Sequence, residues 1–152
     1  MERGKSTMPV TRIGLDIAKN VFPVHGVDEQ GKVAVQKQLS RSKVLVYFAQ
    51  LPACRMGREA CGSAHYWGRE LQKLGHDVRL RAVQLIKPYR TKQKNDRNDA
   101  EAICEAVSRP QLRFVPSKTV AQQAVLTVHR AREVLVTERR AVANQIRGLL
   151  ME

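Results

Sequence analysis

The sequence has few cysteines and lacks both a long hydrophobic run and an apolar leader. Its three cysteines, at positions 54, 61 and 104, are odd in number and form no C-x-x-C pair, which argues against a disulfide framework and a structural zinc site. Cys61 and His65 stand four residues apart, but two ligands are too few for zinc, which usually has at least three from the protein. No stretch approaches the roughly 18 apolar residues of a membrane-spanning helix, and the first ten residues lack the hydrophobic segment of a signal peptide. We therefore expect a protein of the reducing cytoplasm with no membrane partner.

Acidic residues are also scarce. Asp and Glu together number 14 against 27 Lys and Arg, which gives a formal net charge of +13 and a pI near 10.3. Such an excess of positive charge predicts a polyanionic partner, and nucleic acid is the most general candidate. The length of 152 residues suits one compact domain with a hydrophobic core.

The first two thirds of the chain predict a mixed α/β domain. Alternating apolar residues indicate strands over 11–19, 21–27 and 32–39, and a tight turn at 28–31 joins the last two. A helix follows, then a strand over 53–60, a helix that ends before Gly75, and a strand over 76–82. An antiparallel meander followed by α/β crossovers is the arrangement of RNase H-like folds. Asp16 falls in the first strand, on the face opposite its aliphatic residues, and Glu59 lies near the end of the fourth.

The densest basic segment of the chain, residues 87–103, contains two acids. Asp96 and Asp99 stand three residues apart, and Ala100, Ile103 and Val107 follow at helical spacing. Both acids are therefore predicted in the first turn of a helix. Two interpretations stay open at this point: a metal-binding pair, or a capping pair that favours a helix N-terminus. The surrounding basic residues, which are candidates for phosphate contact, are Lys87, Arg90, Lys92, Lys94 and Arg97.

In RNase H-like folds, carboxylates from the first strand, a later strand and a C-terminal helix meet at one edge of the sheet. The acids that occupy those elements here, in that order, are Asp16, Glu59, Asp96 and Asp99. Four acids in one place repel unless cations neutralise them, and carboxylate oxygens suit Mg²⁺ or Mn²⁺. Two such ions about 3.5 to 4 Å apart can activate a nucleophile and stabilise the leaving oxygen of a phosphodiester. Taken singly, Asp16 and Glu59 are also compatible with ordinary surface positions.

The last third of the chain predicts one long helix. Thr119 and Gln122 form a T-x-x-Q capping box, and no Pro or Gly follows before Gly148. Apolar residues repeat every seven positions, as in one seam of a coiled coil, at Val128, Leu135, Val142 and Leu149. The second seam position is poor, because Ala131, Glu138 and Gln145 occupy it. Self-association and packing on the chain's own domain both remain open.

With these residues identified, the chain resembles the DEDD insertion-sequence transposases of the IS110 and Piv invertase group. The stretches that carry the resemblance are IGLDIAKN at 13–20, EACGSAHYW at 59–67, LGHDVRL at 74–80, KPYRTKQKNDRNDAEAICEAVSRP at 87–110 and RFVPSKT at 113–119. The resemblance continues through QQAVLTVHRAREVL and covers nearly the whole chain from residue 11.

The resemblance implies a RuvC-like, RNase H-type domain of an enzyme that moves or inverts DNA segments. It also implies a structured guide (bridge) RNA as partner, and a homo-oligomer formed through the long helix. The catalytic acids and ligands of Mg²⁺ (or Mn²⁺) that it assigns are Asp16, Glu59, Asp96 and Asp99.

One departure from the family pattern concerns its second domain. Family transposases continue into a C-terminal domain with a serine thought to act as nucleophile, whereas this sequence stops at Glu152. No serine of the chain stands in a matching context, so no catalytic serine is assigned. The expected organisation is a flexible N-terminus at 1–10, an RNase H-like DEDD domain at 11–110, and a connector with the long helix at 111–152. The resemblance implies an N-terminal domain or a truncated copy; the alternatives are a non-catalytic nucleic-acid-binding module and a stand-alone junction-resolving nuclease.

Overall fold

The computed structural model describes residues 9–17, 19–89, 96–109, 111 and 113–151. The predicted flexible N-terminus falls almost wholly outside these ranges. The chain forms two compact units, Met1–Ser117 and Lys118–Glu152. The elements of the first unit are β1 (Arg12–Leu15), β2 (Val21–Val27), β3 (Val33–Ser40), α1 (Val44–Ala49), β4 (Arg55–Glu59), α2 (Ala64–Lys73), β5 (Asp77–Arg81), α3 (Val83–Ile86) and α4 (Asp96–Ser108), with 3₁₀ turns at Arg41–Lys43 and Lys87–Tyr89. The second unit contains α5 (Val120–Leu149).

The five strands form one mixed sheet in the order β3-β2-β1-β4-β5. β1, β2 and β3 pair in antiparallel fashion, and β4 and β5 continue parallel to β1. The meander is closed by a turn in which Gly31 adopts a positive φ of 81°, and Asp28 accepts a hydrogen bond from the backbone N–H of Lys32 at 2.8 Å. This topology confirms the RNase H-like fold expected from the sequence.

Helices cover both faces of the sheet. One face carries the main hydrophobic core with α1 and α2, in which the largest fully buried apolar side chains include Ile13, Leu15, Phe22, Phe48, Met56, Leu71 and Leu80. The opposite face is covered by α4, whose predicted stripe of Ala100, Ile103 and Val107 is buried. Because α4 packs on β1, β2 and β4 together, its position is fixed relative to the central strands.

The first strand is shorter than the alternation predicted. The sequence indicated a strand over 11–19, but β1 ends at Leu15, so Asp16 follows the strand instead of lying in its middle. One ladder contact nevertheless continues, because the backbone N–H of Asp16 donates to the carbonyl oxygen of Pro23 at 3.1 Å. Asp16 is thus held at the end of the ladder.

The second unit is a single helix of 30 residues. Its predicted capping box is confirmed: the Thr119 hydroxyl accepts from the N–H of Gln122, and the Gln122 side chain accepts from the N–H of Thr119. Within this unit no helix residue is buried. No helix among the residues that the structure describes is long and apolar enough to cross a membrane.

Candidate metal centre

The pairing of β1 with β4 brings two of the predicted acids to one edge of the sheet. The strands are parallel and in register, with Leu15 opposite Arg58. Asp16 and Glu59 are the next residues along each strand, and neighbouring strands lie about 4.8 Å apart. Both acids are partly buried. The register therefore brings Asp16 and Glu59 to neighbouring positions at the carboxyl ends of β1 and β4.

The two acids also share a face of the sheet. Side chains alternate between faces along a strand, so Asp16 has the orientation of Gly14, and Glu59 has that of Gly57. Both glycines lie directly under α4. Asp16 and Glu59 are consequently on the α4 side, away from the main hydrophobic core.

Gly14 and Gly57 determine how closely α4 approaches β1 and β4. A Cβ at Gly14 would collide with the carbonyl oxygen of Ala100 and would lie 2.5 Å from the backbone nitrogen of Cys104. A Cβ at Gly57 would lie 2.8 Å from Cβ of Val107. Only residues without side chains permit this contact between the helix backbone and the two central strands.

The direction of α4 places its first turn at the acidic edge. The backbone of Ala100 contacts Gly14 of β1. One turn later in α4, the Cys104 thiol donates a hydrogen bond to the carbonyl oxygen of Arg12 at 3.8 Å, and Arg12 lies nearer the start of β1. The helix therefore runs opposite to β1, and its N-terminal turn, with Asp96 and Asp99, lies toward the end where Asp16 stands. The Asp96 side chain is outside the described part of the structure; Asp99 is partly buried.

The carboxylate of Asp16 is oriented locally. Its Oδ1 accepts a hydrogen bond from the backbone N–H of Ile17 at 2.8 Å. Within the ranges described above, no three His, Cys, Asp or Glu side chains are close enough to hold a metal ion. The donor type still fits Mg²⁺ or Mn²⁺, since carboxylate oxygens are the ligands that these hard cations prefer, and the two strand acids share an edge with the first turn of α4.

A buried guanidinium lies next to this edge. Arg58 precedes Glu59, points to the opposite face, and is 0% exposed. Its Nη1 donates to the carbonyl oxygen of Ala64 at 3.3 Å, whereas its Nε and Nη2 have no hydrogen-bond partner among the described residues. Burial lowers the pKa of Arg58 to about 9, and Cys61 and Asp16 partly oppose this effect.

A second buried guanidinium belongs to Arg81, which pairs in register with Glu59. Its Nη2 donates to the carbonyl oxygen of Arg109 at 2.8 Å, and the guanidinium lies 4.2 Å from the ring centroid of Phe114. Burial lowers its pKa, although Tyr89 opposes this effect. A cation at the last carbonyls of a helix is favourable, so Arg81 fixes the C-terminal end of α4 against β5.

Comparison with known proteins identifies the family. Residues 13–152 match the family model of the IS110-type DEDD transposases, described as "Transposase". The chain belongs to this family. A "Probable family 20 transposase" of Pseudomonas aeruginosa is 57% identical over 145 residues, which is 95% of this chain and 43% of the relative.

Two further family relatives are named as transposases of insertion sequence elements. The transposase for element IS1328 of Yersinia enterocolitica is 41% identical over 94% of this chain and 43% of its own length. The transposase for element IS1111A of Coxiella burnetii is 43% identical over 99% of this chain and 42% of its own length. The chain thus spans less than half the length of these curated relatives.

The basic residues predicted to contact phosphates fall mostly outside the described ranges. Lys87 is exposed in the 3₁₀ turn after α3. Arg90, Lys92 and Lys94 precede α4 in a segment that is not described, and Arg97 is described only as part of the helix. Their assignment as phosphate contacts of the transposase domain remains a prediction.

The sequence interpretation missed both buried arginines. Arg58 stands two residues after Met56 in β4, so strand alternation puts it on the apolar side of the strand. An arginine at such a position is a detectable sign of a buried charge. Arg81 lies on the same face of β5 as Asp77 and Arg79, which is the polar face in the sequence pattern. Its burial depends on coverage by the end of α4 and by Phe114, which no local pattern indicates.

Proposed function

We propose that this chain is the DNA-binding and metal-binding N-terminal domain of a transposase that takes part in insertion-sequence mobility. The acids proposed to hold Mg²⁺ or Mn²⁺ are Asp16, Glu59, Asp96 and Asp99. The observation that supports this most directly is the register of β1 and β4, which sets Asp16 beside Glu59 at the edge where α4 begins.

The proposed chemistry needs all four acids in the ionised state. Carboxylates at this edge repel one another, and the N-terminus of α4 offsets that repulsion only in part. Divalent cations held by these acids would supply activation of a nucleophile and stabilisation of the leaving oxygen of a phosphodiester. The protein's own part is to orient the ligands: the N–H of Ile17 fixes the Asp16 carboxylate, and the glycine contacts fix the height of α4 above the strands.

Nucleic-acid contact is proposed for the segment between α3 and α4. Lys87, Arg90, Lys92, Lys94 and Arg97 surround the first turn of α4 in the sequence, so phosphates bound by them would lie next to the acids. Arg and Lys at such positions fix the register of a nucleic acid without reading its bases. A structured guide RNA is a proposed second partner because the family resemblance implies one, and the positive charge of the chain is compatible with it.

A homo-oligomer through α5 is also proposed. The helix carries a seven-residue apolar repeat whose four members are 55 to 69% exposed in the single chain. A helix of this length with an exposed apolar seam is typical of a coiled-coil strand.

The test of the proposed function is metal-dependent DNA binding. We would measure the anisotropy of a labelled branched DNA with the wild-type chain, Glu59→Gln and Glu105→Gln, each in Mg²⁺ and in EDTA. Glu105 is the matched control, because it is an exposed acid on α4 that pairs with Arg109. The proposal expects Mg²⁺ to strengthen binding by the wild-type chain and the control, and to have no effect on Glu59→Gln. Equal affinity in Mg²⁺ and EDTA for all three would contradict it and favour a binding module without a metal site.

A further inference from the structure

The 3₁₀ turn after β3 presents positive charge that the protein itself does not neutralise. No Asp or Glu occurs between Glu29 and Glu59, although this stretch contains six Lys and Arg residues. Arg41 and Lys43 lie in the turn and are exposed. Among the residues that the structure describes, neither of them forms an ion pair. The turn is therefore available to an anionic partner.

This turn lies at the same end of the sheet as the first proposed metal ligand. The N–H of Arg41 donates to the carbonyl oxygen of Asn20, just before β2, at 3.0 Å. Three residues later, the carbonyl oxygen of Pro23 accepts from the N–H of Asp16 at 3.1 Å. The start of β2 therefore connects the basic turn with the acidic edge.

The side chain of Arg41 reaches from the turn to α2. Its guanidinium carbon lies 5.4 Å from the ring centroid of Trp67, and the Trp67 ring packs edge-on against Phe22 of β2 at 5.1 Å. The ring of Tyr66 also lies 5.4 Å from that of Trp67. Trp67 is 4% exposed, whereas Tyr66 is 45% exposed. Arg41 and Tyr66 thus border the same buried indole, and both remain accessible to solvent.

Basic side chains beside an exposed aromatic ring fit a single strand of nucleic acid. Lys and Arg neutralise backbone phosphates, and an unpaired base stacks on an aromatic ring with little dependence on its sequence. Bases inside a duplex are already stacked on one another, so a duplex would use the charges of such a surface but not its ring.

We propose that Arg41, Lys43 and Tyr66 form a docking surface for unpaired nucleotides of a strand that passes over the acidic edge. Arg41 and Lys43 contact its phosphates, and Tyr66 stacks on one base. This deepens the proposed function, on which the choice of a nucleic acid as the partner rests. The surface is distinct from the basic segment before α4, because it lies on the α2 side of the sheet and Lys87 lies beside α4 on the other side.

The only tryptophan of the chain reports binding at this surface. Because Trp67 contacts both Arg41 and Tyr66, a strand bound there should change its fluorescence. We would titrate a single-stranded oligonucleotide of about ten nucleotides into the full chain in EDTA, and follow Trp67 emission together with the anisotropy of a labelled oligonucleotide. We expect a saturable change in both signals.

The two signals separate this proposal from the proposed function. If anisotropy rises while Trp67 emission stays constant, the strand binds elsewhere on the chain, and the docking surface is wrong while nucleic-acid binding stands. If neither signal changes, both the surface and the nucleic-acid binding of the proposed function are wrong. Because every arm is free of metal, these outcomes do not depend on whether the metal site exists.

Replacing Tyr66 tests the stacking contact. We expect Tyr66→Ala to raise the dissociation constant measured through Trp67 emission about tenfold, since one base–aromatic contact is lost, and Tyr66→Phe, which keeps the ring, to restore binding. Gln72→Ala is the control, because Gln72 is exposed on the same helix. Equal constants for Tyr66→Ala and the wild-type chain would overturn the proposal. If Tyr66→Ala does not fold, Tyr66→Leu, which keeps an apolar contact with Trp67, should show the same loss.

Replacing the two basic residues tests the phosphate contacts. Arg41→Gln with Lys43→Gln should reduce the slope of log K against log salt by about 0.7 for each phosphate of a single strand that is no longer neutralised. Lys32→Gln with Lys73→Gln removes the same charge from exposed positions elsewhere and should leave the slope unchanged. Equal slopes for the two double variants would overturn the proposal.

A final arm tests whether the occupant is unpaired. The same titrations are repeated with a blunt duplex of the same sequence in place of the single strand. We expect the duplex to change Trp67 emission less at equal concentration, and its affinity to be insensitive to Tyr66→Ala. If the duplex binds as tightly as the single strand and shows the same sensitivity to Tyr66→Ala, the assignment to unpaired nucleotides is wrong.

Discussion

The three cysteines differ in burial, and burial changes the pKa of a thiol. Cys54 and Cys104 are buried, and burial raises the pKa of Cys54 to about 11 and that of Cys104 to about 12. Cys54 lies beside His76, whose Nδ1 is 3.4 Å from the sulfur and whose Nε2 is 3.0 Å from the carbonyl oxygen of Phe48. The contacts of His76 with Cys54 and Phe48 thus give both ring nitrogens a polar partner inside the core. Cys61 is exposed in the loop before α2.

These differences predict selective labelling. At about pH 8, where a thiol with a raised pKa is almost wholly protonated and unreactive, a disulfide reagent should modify one thiol of the folded chain quickly. Cys61→Ser should lose that fast phase. The wild-type chain in denaturant should show all three thiols. Rapid modification of Cys54 or Cys104 in the folded chain would contradict the burial described here.

At the residue scale the sequence predicted which elements carry the acids, but not the buried charges near them. Asp16, Glu59 and Asp99 follow from strand alternation and helix spacing, because these are local patterns. The charge of Arg58 inside the core, and the burial of Arg81 under the end of α4, depend on contacts between distant segments. Such contacts leave little trace in a single sequence.

At the element scale, the glycines beneath α4 determine where its two aspartates stand. Replacing Gly14 with alanine introduces a methyl group where the backbone of α4 already lies. We expect Gly14→Ala to lower the free energy of unfolding by about 1 to 3 kcal/mol through overpacking, measured by urea denaturation.

The control for this variant is Gly148→Ala. A Cβ at Gly148 meets nothing within 4 Å, and alanine is the better helix former, so stability should be unchanged or higher. If Gly14→Ala were as stable as the wild-type chain, the close approach of α4 to β1 would be wrong.

The long helix makes a separate prediction. Replacing Leu135 and Val142 with lysine puts two charges in the apolar seam, and we expect the chain to become monomeric in sedimentation equilibrium. Thr137→Lys with Asn144→Lys adds the same charge outside that seam and should leave the oligomer intact. A wild-type chain that is already monomeric would contradict the proposed role of α5.

Elements with strong local signals were predicted well. The bounds of β2, the capping box of α5 and the length of α5 follow from alternation, from a T-x-x-Q pattern and from the absence of Pro and Gly. β1 was predicted too long, because Asp16 and Ile17 continue the alternation after the ladder has ended. Strand ends depend on the partner strand, which the sequence of one strand does not specify.

On the scale of the whole molecule, the charge of +13 predicts DNA binding that depends strongly on salt. Each neutralised phosphate of duplex DNA contributes a slope of about −0.9 to log K against log salt. Replacing Lys87, Arg90, Lys92 and Lys94 with alanine should reduce the slope by about one unit for each phosphate that is no longer neutralised. Lys32→Ala with Lys73→Ala removes exposed charges elsewhere and should change the slope little. Identical slopes for all three proteins would contradict the assignment of the basic segment.

The central claim is that four acids from two strands and a helix form one metal site. Calorimetric titration of Mn²⁺ into the purified chain tests it most directly, with an Asp96→Ala, Asp99→Ala double variant, Asp16→Asn, and Glu105→Gln as control. We predict that the wild-type chain and the control bind the metal, whereas the double variant and Asp16→Asn do not. Folded wild-type protein that binds no metal, or variants that bind as well as the wild-type chain, would contradict the account.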